Sequence, residues 1–283
     1  MTFDALWSII KSGVCALFCN RTEVDGMTEK QNSITSVDGV RAIEMRYRSI
    51  FGTDTKKTAF YQSGIRLNTP EMGVLLPERF MPVLESSESC ASVFKLALLQ
   101  TIKAAEKFTD RELDFDWISV FMPIKLLSSR DCVSIITDFT SMLKAPRDRI
   151  CFEIPPLVAD AGGSCRESML ALRKAGFHTM LTGVGTDSFP LLRLAELEPE
   201  YVMMNDRVTK MLGSGDRSEV CVKSVISFIN ELEAEPVASG VSSDDIADKL
   251  YDLECSYYTA DENTGDRAGS FLQERYVRRK NQD

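Results

Sequence analysis

The chain has 283 residues, 33 Lys and Arg against 42 Asp and Glu, a formal net charge of −9, 44% hydrophobic and 27% charged residues. That balance excludes a disordered chain and fits a globular protein with a sizeable core, made of one large domain or two ordinary ones. An acidic excess of this size repels a phosphate backbone and argues against general nucleic-acid binding.

At the N-terminus, Phe3, Trp7, Ile10, Val14 and Leu17 are spaced 4, 3, 4 and 3, with Leu6 and Phe18 widening the stripe. This spacing predicts an amphipathic helix whose apolar face covers its own domain, a regulatory partner or a second copy in a homodimer. Two heptads are too short to be stable alone. Lys11 and Ser12 interrupt the segment and no basic region precedes it, so neither a secretory signal nor a transmembrane segment is expected, and the chain reads as cytoplasmic. A polar stretch then acts as a connector, giving residues 1–38 as helix plus linker.

From Val40 onward the texture changes. MRYRSIF and TAFYQSGIRL flank the polar GTDTKK and predict a hairpin. PERFMPVLE and SCASVFKLALLQTIKAAEKF show helical spacing. Strands WISVFMPI, RICFEI, HTMLTGVG, YVMMND and EPVASGV then alternate with helices DCVSIITDFTSML, SCRESMLALRKAG, FPLLRLAEL, VCVKSVISFINELEA and DDIADKLYDL. Such alternation predicts an α/β fold, a parallel sheet covered by helices and closed into a TIM-like (β/α)8 barrel over residues 39–260, with the hairpin making the first strand antiparallel. Residues 261–283 form a polar tail in which Arg275, Arg278, Arg279 and Lys280 read as a solvated basic helix face.

Eight cysteines at 15, 19, 90, 132, 151, 165, 221 and 255 lie mostly in apolar stretches with no C-x-x-C pair, the usage of buried reduced thiols. Cys15 and Cys19 have no second ligand pair, so a zinc site is not expected. His178 is the sole histidine, which leaves histidine triads without members. In a barrel the chemistry sits where strands end. Those ends carry Gln62, Phe121, Glu153, Thr182, Gly183, Asn205, Ser239 and Ser242. Glu153 is the one carboxylate, set inside CFEIPP, where an unpaired charge costs several kcal/mol and demands a partner. Backbone N–H groups or Arg66 are the expected partners. Asp187 and Asp206, just past strand ends, read as loop or capping residues.

The order of these blocks resembles the EAL domain, the cyclic di-GMP phosphodiesterase fold. YRSI at 47–50 resembles Tyr-Gln-Pro-Ile, YQSGIRL at 61–67 resembles Tyr-Glu-Ala-Leu-Leu-Arg, and PERFMPVLE resembles Pro-x-x-Phe-Ile-x-x-Ala-Glu. FEIPP resembles Leu-Glu-Ile-Thr-Glu, LTGVG resembles Leu-Asp-Asp-Phe-Gly, VMMN resembles Val-Lys-Ile-Asp and ASGVSS resembles Ala-Glu-Gly-Val-Glu-Thr. By this resemblance Gln62 replaces the first-motif glutamate, Phe121 the metal-binding asparagine and Pro156 a second acid. Thr182 and Gly183 replace the paired aspartates, Met203 the lysine, Asn205 the next aspartate, and Ser239 and Ser242 the last two glutamates.

What survives is Glu153, Arg66 (which in the family faces a phosphate of the dinucleotide), Gly185 and Gly240. The resemblance therefore implies an emptied site with no metal, no cofactor and no phosphodiesterase activity. It leaves a non-catalytic regulatory protein working through protein contacts in bacterial signalling. The alternatives are a non-hydrolysing cyclic di-GMP receptor relying on Arg66 and Arg48, for which few donors remain, and relocated chemistry using Asp187, Asp206, Cys151 or Cys255.

Overall fold

The computed structural model describes residues 36–37, 40–41, 43–69, 73–155, 163–186, 191–261 and 272–273. Phe3, Leu6, Trp7, Ile10, Val14, Leu17, Phe18, Pro156 and Asp187 lie outside them.

Alternating burial from Ile43 to Gly52 makes strand β1, and Thr58–Thr69 makes β2. They pair antiparallel with Arg48 opposite Gln62, Arg46 opposite Gly64 and Glu44 opposite Arg66. Because side chains alternate, these polar residues share one face of the ribbon, while Met45, Tyr47, Ile65 and Leu67 are buried on the other. A short strand β3, Gly73–Leu75, extends the ribbon beside β2. Helices α1 (Pro77–Ser86) and α2 (Cys90–Thr109) follow, the latter packing Phe108 edge-on against Tyr47.

The regular part then runs β4 (Ile118–Phe121), α3 (Ile124–Leu127), α4 (Cys132–Met142), β5 (Ile150–Ile154), α5 (Gly163–Lys174) and β6 (His178–Val184). It continues with α6 (Arg193–Leu197), β7 (Tyr201–Met204), α7 (Asp206–Thr209), α8 (Asp216–Glu231), β8 (Glu235–Val241), α9 (Asp244–Asp252) and β9 (Tyr257–Ala260). Strands β2 and β4 to β9 are parallel, and β1 pairs antiparallel with both β2 and β9, which closes an eight-stranded barrel. The sequence-based strands omit β9: four residues, YYTA, carry too short a pattern to register beside the helix before them. Leu272–Gln273, in the segment read as a polar tail, pairs with Tyr47 and Arg46 of β1.

Two apolar clusters result. The larger fills the space between strands and helices; the smaller, Ile50, Phe60, Trp117, Cys151, Met180, Met203 and Val237, is the barrel interior. Phe60 and Trp117 stack there at 4.0 Å with rings 5° apart. Below them, at the N-terminal end of β6, His178 Nδ1 lies 3.1 Å from Glu200 Oε1. No helix among the described residues is long and apolar enough to cross a membrane.

Candidate active-site mouth of the barrel

Parallel strands bring their C-terminal ends to one mouth, and the sequence-predicted residues meet there to different degrees. Glu153, partly buried near the end of β5, has both carboxylate oxygens engaged. Gln62 Nε2 donates to Oε1 at 2.7 Å and Ser119 Oγ to Oε2 at 3.0 Å. Arg48 Nε donates to Gln62 Oε1 at 2.7 Å, and Gln62 Nε2 also approaches Met203 Sδ at 3.6 Å. The Ser63 backbone N–H donates to Ser119 Oγ at 3.1 Å. A continuous polar chain thus runs from Arg48 through Gln62 and Glu153 to Ser119 and the backbone of β2.

This differs from the expected backbone N–H or Arg66 partners of Glu153. The register explains why: Gln62 points to the same face as Arg66 but four residues deeper, and β4 brings Ser119 beside β5. Ser119 is the residue that sequence reasoning missed. Its signal was a small hydroxyl inside ISVF, a polar position in an otherwise apolar run, and only pairing between strands says which acid it serves.

Burial raises the Glu153 carboxyl above the ordinary 4.5, outweighing the opposing pull of the Gln62 and Ser119 hydrogen bonds and of the Arg48 charge. The folded state therefore keeps this proton to higher pH than the unfolded chain, so its contribution to stability falls as pH rises from 4.5 through the folded value. Glu153→Gln keeps the hydrogen-bonding shape and removes the charge. The variant should gain stability on the native protein as pH rises from 4.5 toward neutrality, read by urea denaturation at matched pH; a difference that stays flat over that interval would refute the assignment.

The other positions do separate work. Phe121 packs its ring edge-to-face with Phe94 at 6.2 Å, and Met203 is 4% exposed within the barrel interior. Thr182 Oγ1 donates to the Ile154 carbonyl at 3.2 Å. Asn205 caps α7, its Oδ1 accepting from Arg207 N at 3.1 Å, and Ser239 Oγ donates to the Met204 carbonyl. Ser242 is exposed. Gly183 (φ 74°) and Gly240 (φ 74°) take left-handed conformations at register shifts near the ends of β6 and β8, and Gly185 (φ 91°) does so in the turn after β6.

Asp206 is tied to Lys210, which holds its carboxyl below the ordinary carboxylate value. Burial pushes the Cys151 thiol well up and the Cys255 thiol to about 12, so neither supplies a thiolate near neutral pH. Among the described residues, no group of three or more His, Cys, Asp or Glu is placed to hold a metal ion.

A closed α/β barrel with an antiparallel first strand and a polar mouth defines the class. The family follows from comparison: a model described as the EAL domain matches residues 38–259, and the chain belongs to the EAL domain family. Cyclic di-GMP phosphodiesterase RocR of Pseudomonas aeruginosa is 24% identical over 192 residues, covering 68% of this chain and 49% of RocR. Cyclic di-GMP phosphodiesterase PdeB of Shewanella oneidensis is 27% identical over 201 residues, covering 64% of this chain and 23% of PdeB. The chain thus spans half or less of the length of these curated relatives. Among solved structures, an EAL domain protein from Listeria monocytogenes EGD-e superposes with a TM-score of 0.71 at 15% identity, over 99% of this chain and 98% of that one. The PaMucR phosphodiesterase in complex with c-di-GMP gives 0.70 at 15% identity, over 83% and 94%. At such identities the likeness concerns the fold.

Proposed function

We propose that this chain is a non-catalytic EAL-domain regulator that acts through protein contacts in cyclic di-GMP signalling. The observation that carries the reading is the composition of the mouth. A pair of divalent cations takes several oxygen ligands whose negative charge offsets the ions. Here the groups bonded to Glu153 are an amide and a hydroxyl, with a thioether beside the amide, and Gln62 turns its Nε2, a hydrogen-bond donor, toward the carboxylate. Phe121 offers a ring, Thr182 bonds a main-chain carbonyl and Gly183 has no side chain. These residues do not fit two metal ions, and no hydrolytic step is derived through them.

Purified protein incubated with cyclic di-GMP and excess manganese should show no turnover above a heat-killed control, and any reproducible turnover overturns the proposal. Calorimetry with the same dinucleotide tests the receptor alternative in parallel: saturable heat that disappears in Arg66→Ala would make the chain a binding protein. Arg48, the other cation of that alternative, already donates to Gln62. The apolar stripe from Phe3 to Phe18 supplies a contact surface for a regulatory partner, tested by pull-down from the native host with residues 1–20 present and deleted.

A further inference from the structure

His178 is the sole histidine of the chain, and the mouth makes no use of it. It opens β6 at the floor of the barrel, where strand pairing sets Cys151 of β5 beside it. Its ring lies 6.4 Å from the ring of Trp117 and 6.1 Å from that of Tyr201, so the imidazole borders the aromatic interior while its side chain stays 28% exposed.

Glu200, the residue before β7, is the group that meets it. His178 Nδ1 lies 3.1 Å from Glu200 Oε1, the Thr179 N–H donates to Oε2 at 3.1 Å, and Arg173 Nε of α5 stands 3.7 Å from that second oxygen. The Glu200 carbonyl accepts from Glu235 N, at the start of β8, at 2.8 Å. One residue thus ties the starts of β6, β7 and β8 to α5. From the β5 side, the helical turn Arg147–Arg149 brings Asp148, whose main chain hydrogen-bonds the imidazole in the sense that favours the charged ring, and so through its carbonyl.

The titratable and charged groups around His178 are therefore Glu200, Asp148, Arg173, Cys151 and Tyr201. Burial pushes the Cys151 thiol well above its ordinary 9.0 and the Tyr201 phenol up as well, so both stay neutral where an imidazole titrates. The hydrogen bond to Glu200 holds His178 above its ordinary 6.5; burial opposes that rise, and the Glu200 and Asp148 charges and the Asp148 hydrogen bond add to it. An imidazolium carries two N–H donors and a neutral imidazole one. A carboxylate and a carbonyl suit the former. Loss of the proton removes a donor and a charge-assisted bond, while Thr179 and Arg173 keep Glu200 in place.

We propose that His178 and Glu200 form a proton-operated staple across the floor of the barrel: the protonated imidazole holds the starts of β5, β6 and β7 together, and its deprotonation loosens them. The device is separate from the mouth and holds whether or not cyclic di-GMP is bound or hydrolysed. Because the folded state keeps this proton more tightly than the unfolded chain, the stabilisation is complete below pH 6.5 and is lost as pH rises through the folded value.

A single histidine makes the imidazole its own probe. In an NMR titration of the full chain without added histidines, its midpoint should lie above 6.5 and fall in Glu200→Gln. Between pH 6.5 and pH ~9 the unfolding constant of the native chain, divided by that of His178→Gln, should rise at least ~threefold by urea denaturation. Amide exchange at Thr179, corrected for its intrinsic rate, should accelerate over the same interval. A native midpoint at or below 6.5 overturns the proposal, as does a midpoint unmoved by Glu200→Gln or a ratio that stays flat. If His178→Gln does not fold, the native titration and the Thr179 exchange decide: protection that does not fall as the imidazole loses its proton overturns the staple.

Discussion

Trp117→Ala should lower the unfolding free energy by about 3–5 kcal/mol, the loss expected for truncating a large aromatic side chain in a core. Trp117 is fully buried, stacks on Phe60 and meets Tyr201 edge-to-face at 5.0 Å, all inside a ring of eight paired strands. A closed barrel cannot collapse into the vacated volume without breaking strand pairing, so the cavity persists and its full cost is felt. The consequence reaches the mouth, because Trp117 immediately precedes β4, on which Ser119 sits, and its carbonyl accepts from Tyr61 N at 3.1 Å. Equilibrium urea denaturation measures the change; a loss under ~1 kcal/mol would mean the interior repacks and that the stacked pair is not the keystone of the barrel floor.

Gly185→Ala should cost about 2–4 kcal/mol, from two separable sources. A Cβ at this position would stand 2.3 Å from Val208 Cγ2, and φ of 91° is one that L side chains rarely adopt. Val208 belongs to α7, which is held across the end of β6 by the hydrogen bond from Asn205 N to the Val184 carbonyl at 2.8 Å and so cannot retreat. Combining Gly185→Ala with Val208→Ala should recover the steric part and leave the backbone strain. The double variant should therefore be more stable than the sum of the single losses predicts, by at least ~0.5 kcal/mol. Strict additivity would show that the close approach is relieved elsewhere and that the conformation of Gly185 alone carries the cost.

Much of this architecture is legible in the residues. Period-two alternation in MRYRSIF and TAFYQSGIRL, and the alternation of apolar runs with helical spacing after them, specify the hairpin and the parallel strands, because burial on a sheet and burial on a helix impose different repeats. Strand β9 escaped because four residues hold two repeats at most, and its membership is decided by Gly52 and Phe51 of β1, some 200 positions away. The mouth shows the same division. That Glu153 needs a partner follows from a carboxylate set between Phe152 and Ile154. That the partner is Gln62 and Ser119 does not, since nothing in YQSGIRL or ISVF says which strand will lie beside which.

What the sequence determined alone is therefore the repeating pattern of the barrel, the family resemblance of its motifs and the scarcity of acidic side chains at the strand ends. The tertiary structure decided which groups touch: the run from Arg48 to Ser119 and the tight fit of Gly185 on Val208. The physical reason is range. Periodicity and composition are local properties of a chain, whereas a hydrogen bond or a close steric contact depends on register between segments that only closure of the barrel brings together.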